Sequence, residues 1–580
     1  MSFIASGEGT GTEWRTAPDA ANYIDMVRKI QQFADDTNHG VGSNTDITLV
    51  PAADGSGYVV GDFVRVADGN GDASGVAVHP SAHTDGAGAD NTTTFEITAV
   101  GGSGEVTEVR LRNSGCYSTE PANNGTGGRY DTVKLTGAGD DLLELDLTFS
   151  GNGWTINRVT QEVATATIGA TAGTSYSLGD TIELPEGDSR SGYTAPQGTN
   201  KGILTTAVAL TTGTALTVTD AGIFHRQPPT NEAVSDMIAG TGAGDMTVDL
   251  TFQEFTDTTT DIEVIMTGAA STVGIRSYDS GAGVTNFEIM GAQVYGADND
   301  WDAQVNQSPG RYPDGDDGSY VVSEDEAFSY FLSVTDRRIV CVMRLAAGIY
   351  SNFYLGSFDP YATATEHPDP TLVLGCTSNH GLNQGSAANR WAGMNLCIGD
   401  GALEGPGAVL NAASAWVIVQ NGFASGANIT KSTDFTSAVV IPGGDFTLQA
   451  TKFEDQDQFL GDILTSPGST VPRWAYWCLT QDPDGSGITA FANDFRWSSM
   501  GTEGGDEFPV MWECTVLDMV NTNPAVLGEL DGVKQIDQRV RSGSTFLGSE
   551  DEMDDDTDFW YVFNNCRLTD HWTYFAMRGS

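Results

Sequence analysis

"GYVVGDFVRV" (residues 57–66) and "SYSLGDTIEL" (175–184) are two versions of one pattern. Each has an aromatic residue, two intervening residues, Gly-Asp, and then an alternating run. A loop built for one catalytic group has no reason to recur, whereas a structural module does. Further blocks follow both copies in the same order. The first copy continues with "TFEITAV" (94–100), "VTEVRLRNSGCYSTEPA" (106–122), "TGAGD" (136–140) and "LDLTF" (145–149). The second continues with "TALTVTDAGIFHRQPP" (214–229), "TGAGD" (241–245) and "VDLTF" (248–252). Gly115 matches Gly222, Tyr117 matches Phe224, and Pro121 matches Pro228. Short alternating runs punctuated by Gly, Asn and Asp read as strands joined by tight turns. Each copy is therefore expected to be one small β domain. "TGAGD" reads as a turn: it lacks the Lys-Ser/Thr and following helix of a phosphate loop.

The rest of the chain continues the β pattern. "RRIVCVMRL" (337–345) alternates for part of its length, and "IYSNFYLGSF" (349–358) is aromatic-rich. The C-terminal region carries Trp474, Trp477, Trp497, Trp512, Trp560 and Trp572. The expected fold class is mainly β: several β-sandwich-like or small β-barrel modules with one N-terminal amphipathic helix. The expected organisation is a helix and docking arm (1–45), two β-module copies (46–155 and 156–255), a large β domain (256–460) and a Trp-rich β domain (461–580).

The helix is expected within 13–34, "EWRTAPDAANYIDMVRKIQQFA", with Thr16 as cap and Pro18 in the first turn. Ala20, Tyr23, Val27, Ile30 and Ala34 form an apolar stripe at three- and four-residue spacing. The stripe either folds onto the chain's own first domain or docks a neighbouring subunit through Tyr23, Val27 and Ile30.

With 27 basic and 78 acidic residues among 580, the net charge is −51. That sign opposes binding to nucleic acid and adhesion to an anionic membrane. It suits a soluble protein, of a salty habitat or simply of a generally acidic secreted or viral kind. The seven cysteines form no CxxC pair and are expected as buried thiols. There is no apolar run of membrane-spanning length, so no membrane insertion is expected, and no basic-then-apolar leader. Synthesis in a cytoplasm is expected.

No GxSxG, HExxH or dinucleotide fingerprint occurs. His79 and His83, at i, i+4, lie in a Gly- and Ala-rich loop and read as exposed polar residues. Acidic residues are abundant enough for a paired-carboxylate hydrolase, but such a pair is defined in space. Calcium has one partial motif. "DPDGSG" places Asp482, Asp484 and Ser486 at the first, third and fifth loop positions, but Asn493 stands where the loop needs a bidentate Glu. "DNDWD" (298–302) and "DGNGD" (68–72) are weaker versions. Otherwise no cofactor is expected. Aromatic residues in loops suit core anchors and subunit contacts, with a sugar platform as the alternative.

The repeated modules, with the join "GNGWTINRVTQEVATATIGATAGTSYSLGD" (151–180), resemble repeats of tailed-bacteriophage virion proteins. "EVIMTGAASTVGIRSY" (263–278), "RRIVCVMRLAAGIYSNFYLGSFDPYATATEHPDP" (337–370), "VLGELDGVKQI" (526–536) and "YVFNNCRLTDHWTYFAMR" (561–578) resemble a family of large phage virion structural proteins. The resemblance implies a tail, neck/collar or baseplate component that is not an enzyme. It implies other virion proteins as partners, several copies in a symmetric ring or fibre, and release by host lysis. The alternative is a tail adhesin for a host surface glycan; a secreted β-rich hydrolase ranks third.

Overall fold

The computed structural model describes residues 2–5, 20–35, 40–41, 46–67, 93–115, 117, 121, 125–169, 177–178, 180–184, 203–206, 216–224, 232–233, 236–239, 246–255, 262–279, 285–292, 294–297, 299, 301, 304, 319–322, 326–346, 349–361, 371–375, 417–419, 438–442, 510–518, 525–537, 552–554, 559–564 and 573–579. These are mainly β, with one helix among them. They fall into two compact units: Met1–Thr155 with Met266–Val294 and Val305–Ser580, and Ile156–Ile265 with Tyr295–Gln304.

In the first unit, six antiparallel strands form one sheet in the order Ile47–Asp54, Leu143–Leu147, Tyr130–Lys134, Phe63–Val66, Thr94–Val100, Val106–Asn113. Numbered along the chain, the order is 1-6-5-2-3-4. The first and fourth strands also approach each other, so the sheet curls into a nearly closed barrel. Closure removes the exposed edges of an open sheet. Alternation decides which residues point inward: Val64 and Val66 are buried while Phe63 and Arg65 are half-buried. Phe95, Ile97, Leu111 and Leu145 complete the barrel core.

The second unit repeats this connectivity. Gln161–Ile168, Thr247–Glu254 and Glu232–Ala233 form one row; Asp236–Ala239, Thr181–Glu183, Ile203–Thr206 and Leu216–Asp220 form the other. Two described segments occupy the fifth position: Glu232–Ala233 pairs with the sixth strand and Asp236–Ala239 with the second. Taken together as the fifth strand, these segments give the order 1-6-5-2-3-4 again. The first and fourth strands again approach each other. Val163, Ile182, Leu204, Phe224, Met246 and Val248 form its core. The unit's first segment, Ile156–Ile265, compares with the 156–255 expected for the second copy.

Elsewhere in the first unit, an antiparallel sheet runs Ser2–Ala5, Ser329–Val334, Arg338–Ala346, Ile349–Ser357, Thr371–Gly375, Val417–Val419. A second runs Ala438–Pro442, Val510–Asp518, Ala525–Asp537, Thr573–Arg578, Phe559–Asn564, Glu552–Asp554. Phe331 of the first meets Phe563 (centroids 4.7 Å apart) and Tyr561 (5.3 Å) of the second. The two sheets thus share a core, and described strands from either side of the boundary expected at 460/461 belong to it. Strands far apart in sequence pair for reasons that local pattern does not carry.

The helix is Tyr23–Ala34, starting later than Thr16 and Pro18 suggest. Two contacts set its start. Asn22 Oδ1 accepts from the Asp25 amide (3.0 Å) and Asp25 Oδ2 accepts from the Ala21 amide (2.8 Å), a reciprocal cap. Ala20 is held extended by paired backbone bonds to Phe328. The helix packs on strands Thr272–Asp279, Thr285–Ala292 and Ser329–Val334.

Candidate functional site

The repeated motifs converge on one junction in the first barrel. The turn in "GYVVGD" is closed by Asp62: its Oδ2 accepts from the Val59 amide (2.9 Å), and its own amide donates to Val59 O (3.1 Å). The loop "TGAGD" packs against this turn, and its residue types follow from the contact. Thr136 Oγ1 accepts from the Phe63 amide (2.8 Å). A Cβ on Gly137 would stand 2.1 Å from Asp62 Oδ1, and one on Gly139 would stand 2.1 Å from Tyr58 Cε1. Gly137 also has φ +79°, a left-handed conformation that glycine adopts without penalty. Asp140 accepts from the Ser56 hydroxyl (2.7 Å), and its amide donates to Ser56 O (3.1 Å). The two motifs are halves of one structural lock.

The second copy keeps the described parts of this lock. Ser177 N donates to Asp180 Oδ2 (2.8 Å), and Asp180 N donates to Ser177 O (3.1 Å). Asp62 and Asp180 are both buried. A second motif also superimposes chemically. Asn113 Oδ1 accepts from the Gly115 amide (3.1 Å), and Asp220 Oδ1 from the Gly222 amide (3.0 Å), with both glycines at positive φ. The ring that follows packs edge-on against the ring ending the sixth-strand motif: Tyr117 on Phe149 at 5.7 Å and Phe224 on Phe252 at 5.4 Å. The second "TGAGD" lies outside the described residues.

The electrostatics of the lock suit a packed joint. Burial, and then the charges of Asp141 and Asp140, push the Tyr58 hydroxyl up to about 12. At Asp140 burial is the largest influence and works upward, but the hydrogen bonds from Ser56 and Leu142 outweigh it, so its carboxyl sits below the usual range. In the same barrel the Asp131 carboxyl is raised, by burial first and by the charge of Glu144 second. Asp131 and Glu144 are direct cross-strand partners on the outer face of the sheet. Glu144 is also held by the Thr126 amide (3.2 Å) and by Arg129 (3.5 Å). Both carboxyls stand side by side on one surface, whereas glycoside hydrolysis uses two that flank the bond to be cut.

The blocks of the middle and C-terminal regions also meet. Arg338, fully buried, places Nε 3.2 Å from Asp531 Oδ2, and its Nη1 donates to Ser333 O and Oγ (both 2.9 Å). Neighbouring Arg337 bonds the Asp359 carboxylate and Phe358 O (2.9 Å). Asp359 and Pro360 pair with Glu529 and Gly528. "RRIVCV", "SFDP" and "VLGELDG" therefore form one clamp. The join motif works as a bolt: Asn152 Nδ2 caps Phe33 O at the helix end, and buried Trp154 donates from Nε1 to Thr335 O (2.6 Å). In the second unit, buried Arg158 pairs with buried Glu263 at 2.8 Å and donates to Asn299 O (3.0 Å).

Tyr23, Val27 and Ile30, expected to dock a neighbouring subunit, are 5%, 0% and 0% exposed within this chain. Their stripe is covered by the chain's own strands and is not a free surface in this fold. Asp482, Asp484 and Ser486 lie outside the described residues, as do Asp68, Asn70, Asp72, His79, His83, Asp298, Asp300 and Asp302. Among the described residues no group of three His, Cys, Asp or Glu side chains is placed to hold a metal. No described helix is long and apolar enough to cross a membrane. Cys341 is a buried free thiol, pushed up by that burial. Local sequence pattern carries no sign of the clamp or the bolt, since each joins residues far apart in the chain. No family model matches the chain, and no curated protein matches it.

Proposed function

We propose that this chain is a structural component of a tailed-phage virion, associated with the tail, neck or baseplate and assembled in several copies. One observation carries the reading. The duplicated modules share a strand order and an Asp-closed turn, and the recurring residues Asp62, Asp180, Gly115, Gly222, Tyr117 and Phe224 hold the modules' own backbone and rings in place. Side chains committed in this way serve architecture. Chemistry would need the same groups poised toward a ligand. The charge of −51 fits a surface kept clear of nucleic acid. On this reading the chain has no catalytic role, and its partners are other virion proteins and copies of itself.

Mass spectrometry of gradient-purified particles of the encoding phage tests this reading. The expected result is peptides from both modules at a copy number that is a multiple of the particle's rotational symmetry. Absence of the chain from particles, with abundant chain in the lysate, would refute it.

A further inference from the structure

The strand Ser2–Ala5 occupies an edge of the first unit's sheet. It pairs antiparallel with Ser329–Val334, Ser2 opposite Val334 and Ala5 opposite Phe331. Ala20 lies on the same edge, opposite Phe328, with paired bonds of 2.9 and 3.0 Å. Between these two attachment points the edge offers only two partner positions, Ser329 and Tyr330. Two residues would carry the strand directly from one point to the other. In the sequence, residues 6–19, "SGEGTGTEWRTAPD", separate the two points. These fourteen residues could span about 45–50 Å when extended, against roughly 10 Å needed along the edge.

The edge itself needs a partner strand. Every residue of Ser329–Val334 is buried. Its backbone groups on that side would otherwise be an uncovered row of donors and acceptors beside buried side chains. The cover is a four-residue strand held by backbone pairing in a fixed register. Identical pairing is available from any other copy of the chain. We infer that Ser2–Ala5 is an exchangeable strand, which in the assembled state covers the Ser329–Val334 edge of a neighbouring copy. The partner is thus a second copy of this chain, recognised by β-augmentation. Main-chain hydrogen bonds suit such a contact here, because they do not depend on charge complementarity between two strongly acidic copies. The inference rests on the multi-copy part of the proposed function. It relocates the contact from the buried helix stripe to the strand that precedes it.

The test uses two full-length single-cysteine additions, Phe3→Cys and Ser333→Cys, at directly opposed positions. Neither variant can form the 3–333 disulfide within one chain. Mixed at high concentration and oxidised, they are expected to give a disulfide dimer. That dimer should contain one chain of each type, linked 3–333 by peptide mapping, above the background of either variant alone. Repeating the mixture with residues 6–19 of the Phe3→Cys chain cut to two residues should abolish the dimer. Far-UV circular dichroism and the unfolding midpoint of that shortened chain should stay unchanged, since the strand then pairs within its own chain. No 3–333 dimer in the first mixture, or an undiminished yield from the folded shortened chain, would overturn the inference. Failure here, with the chain present at multiple copies in purified particles, would refute strand exchange and leave the virion reading standing. A 3–333 dimer from a chain absent from particles would do the reverse.

Discussion

Replacing Asp531 by Ala should weaken the clamp between the central and C-terminal strands by an amount the geometry bounds. Arg338 is fully buried, while the Asp531 side chain is 19% exposed. Losing one member of a buried ion pair costs about 3–5 kcal/mol, because the remaining charge stays out of water without its counterion. Partial exposure at Asp531 admits water near the vacated carboxylate, and Ser333 still accepts from Nη1. The expected loss is therefore at the lower end, about 3 kcal/mol, or roughly a hundredfold in the unfolding equilibrium. Asp531→Asn keeps an acceptor and should cost about half as much. The double variant Arg338→Met/Asp531→Leu removes both charges and should recover to within about 1 kcal/mol of the parent. Urea unfolding followed by circular dichroism and tryptophan fluorescence reads all three, with Trp560 buried in the sheet that carries Asp531. A change below about 0.5 kcal/mol in the Asp531→Ala chain would refute the argument that this pair joins the two regions.

Gly137→Ala should destabilise the first barrel by about 2 kcal/mol or more, since it combines a left-handed backbone with a Cβ 2.1 Å from Asp62 Oδ1; an unshifted urea midpoint would contradict the lock. Alkaline pH should weaken the same barrel. Tyr58 is held neutral up to about 12 against 10.0 unfolded, so between these values the folded form binds more protons. This stabilisation is complete below pH 10 and is lost as pH rises through about 12, to the extent of about 2 kcal/mol. Tyr58→Phe should flatten that fall, as unfolding curves between pH 9 and 12 would reveal. Calcium chelation should lower the melting temperature slightly at most; collapse in chelator would assign Asp482, Asp484 and Ser486 a structural ion.

What the sequence discloses depends on how local the physics is. The duplication is legible because its determinants are short-range: Asp62 closes a turn three residues away, and Asn113 bonds an amide two residues on. Alternation along Phe63–Val66 likewise marks the buried face directly. The helix start is misjudged because Ala20 is held by Phe328, a contact 308 residues distant that competes with the Thr16 and Pro18 signals. Amphipathic spacing correctly implies that Tyr23, Val27 and Ile30 are covered, but spacing does not say by what. The shared core of the central and C-terminal strands is invisible for the same reason: Arg338 and Asp531 are 193 residues apart. Packing of "TGAGD" on "GYVVGD" lies between these extremes. The recurrence of both motifs signals that they matter, and only the structure reveals that they touch.

The most direct measurement of the architectural role is electron microscopy of purified virions carrying a gold-labelled tag at the C-terminus of this chain. Label at a fixed station on the tail, neck or baseplate, repeated around the particle axis, is the predicted result. Particles that remain unlabelled while tagged chain accumulates free in solution would contradict it.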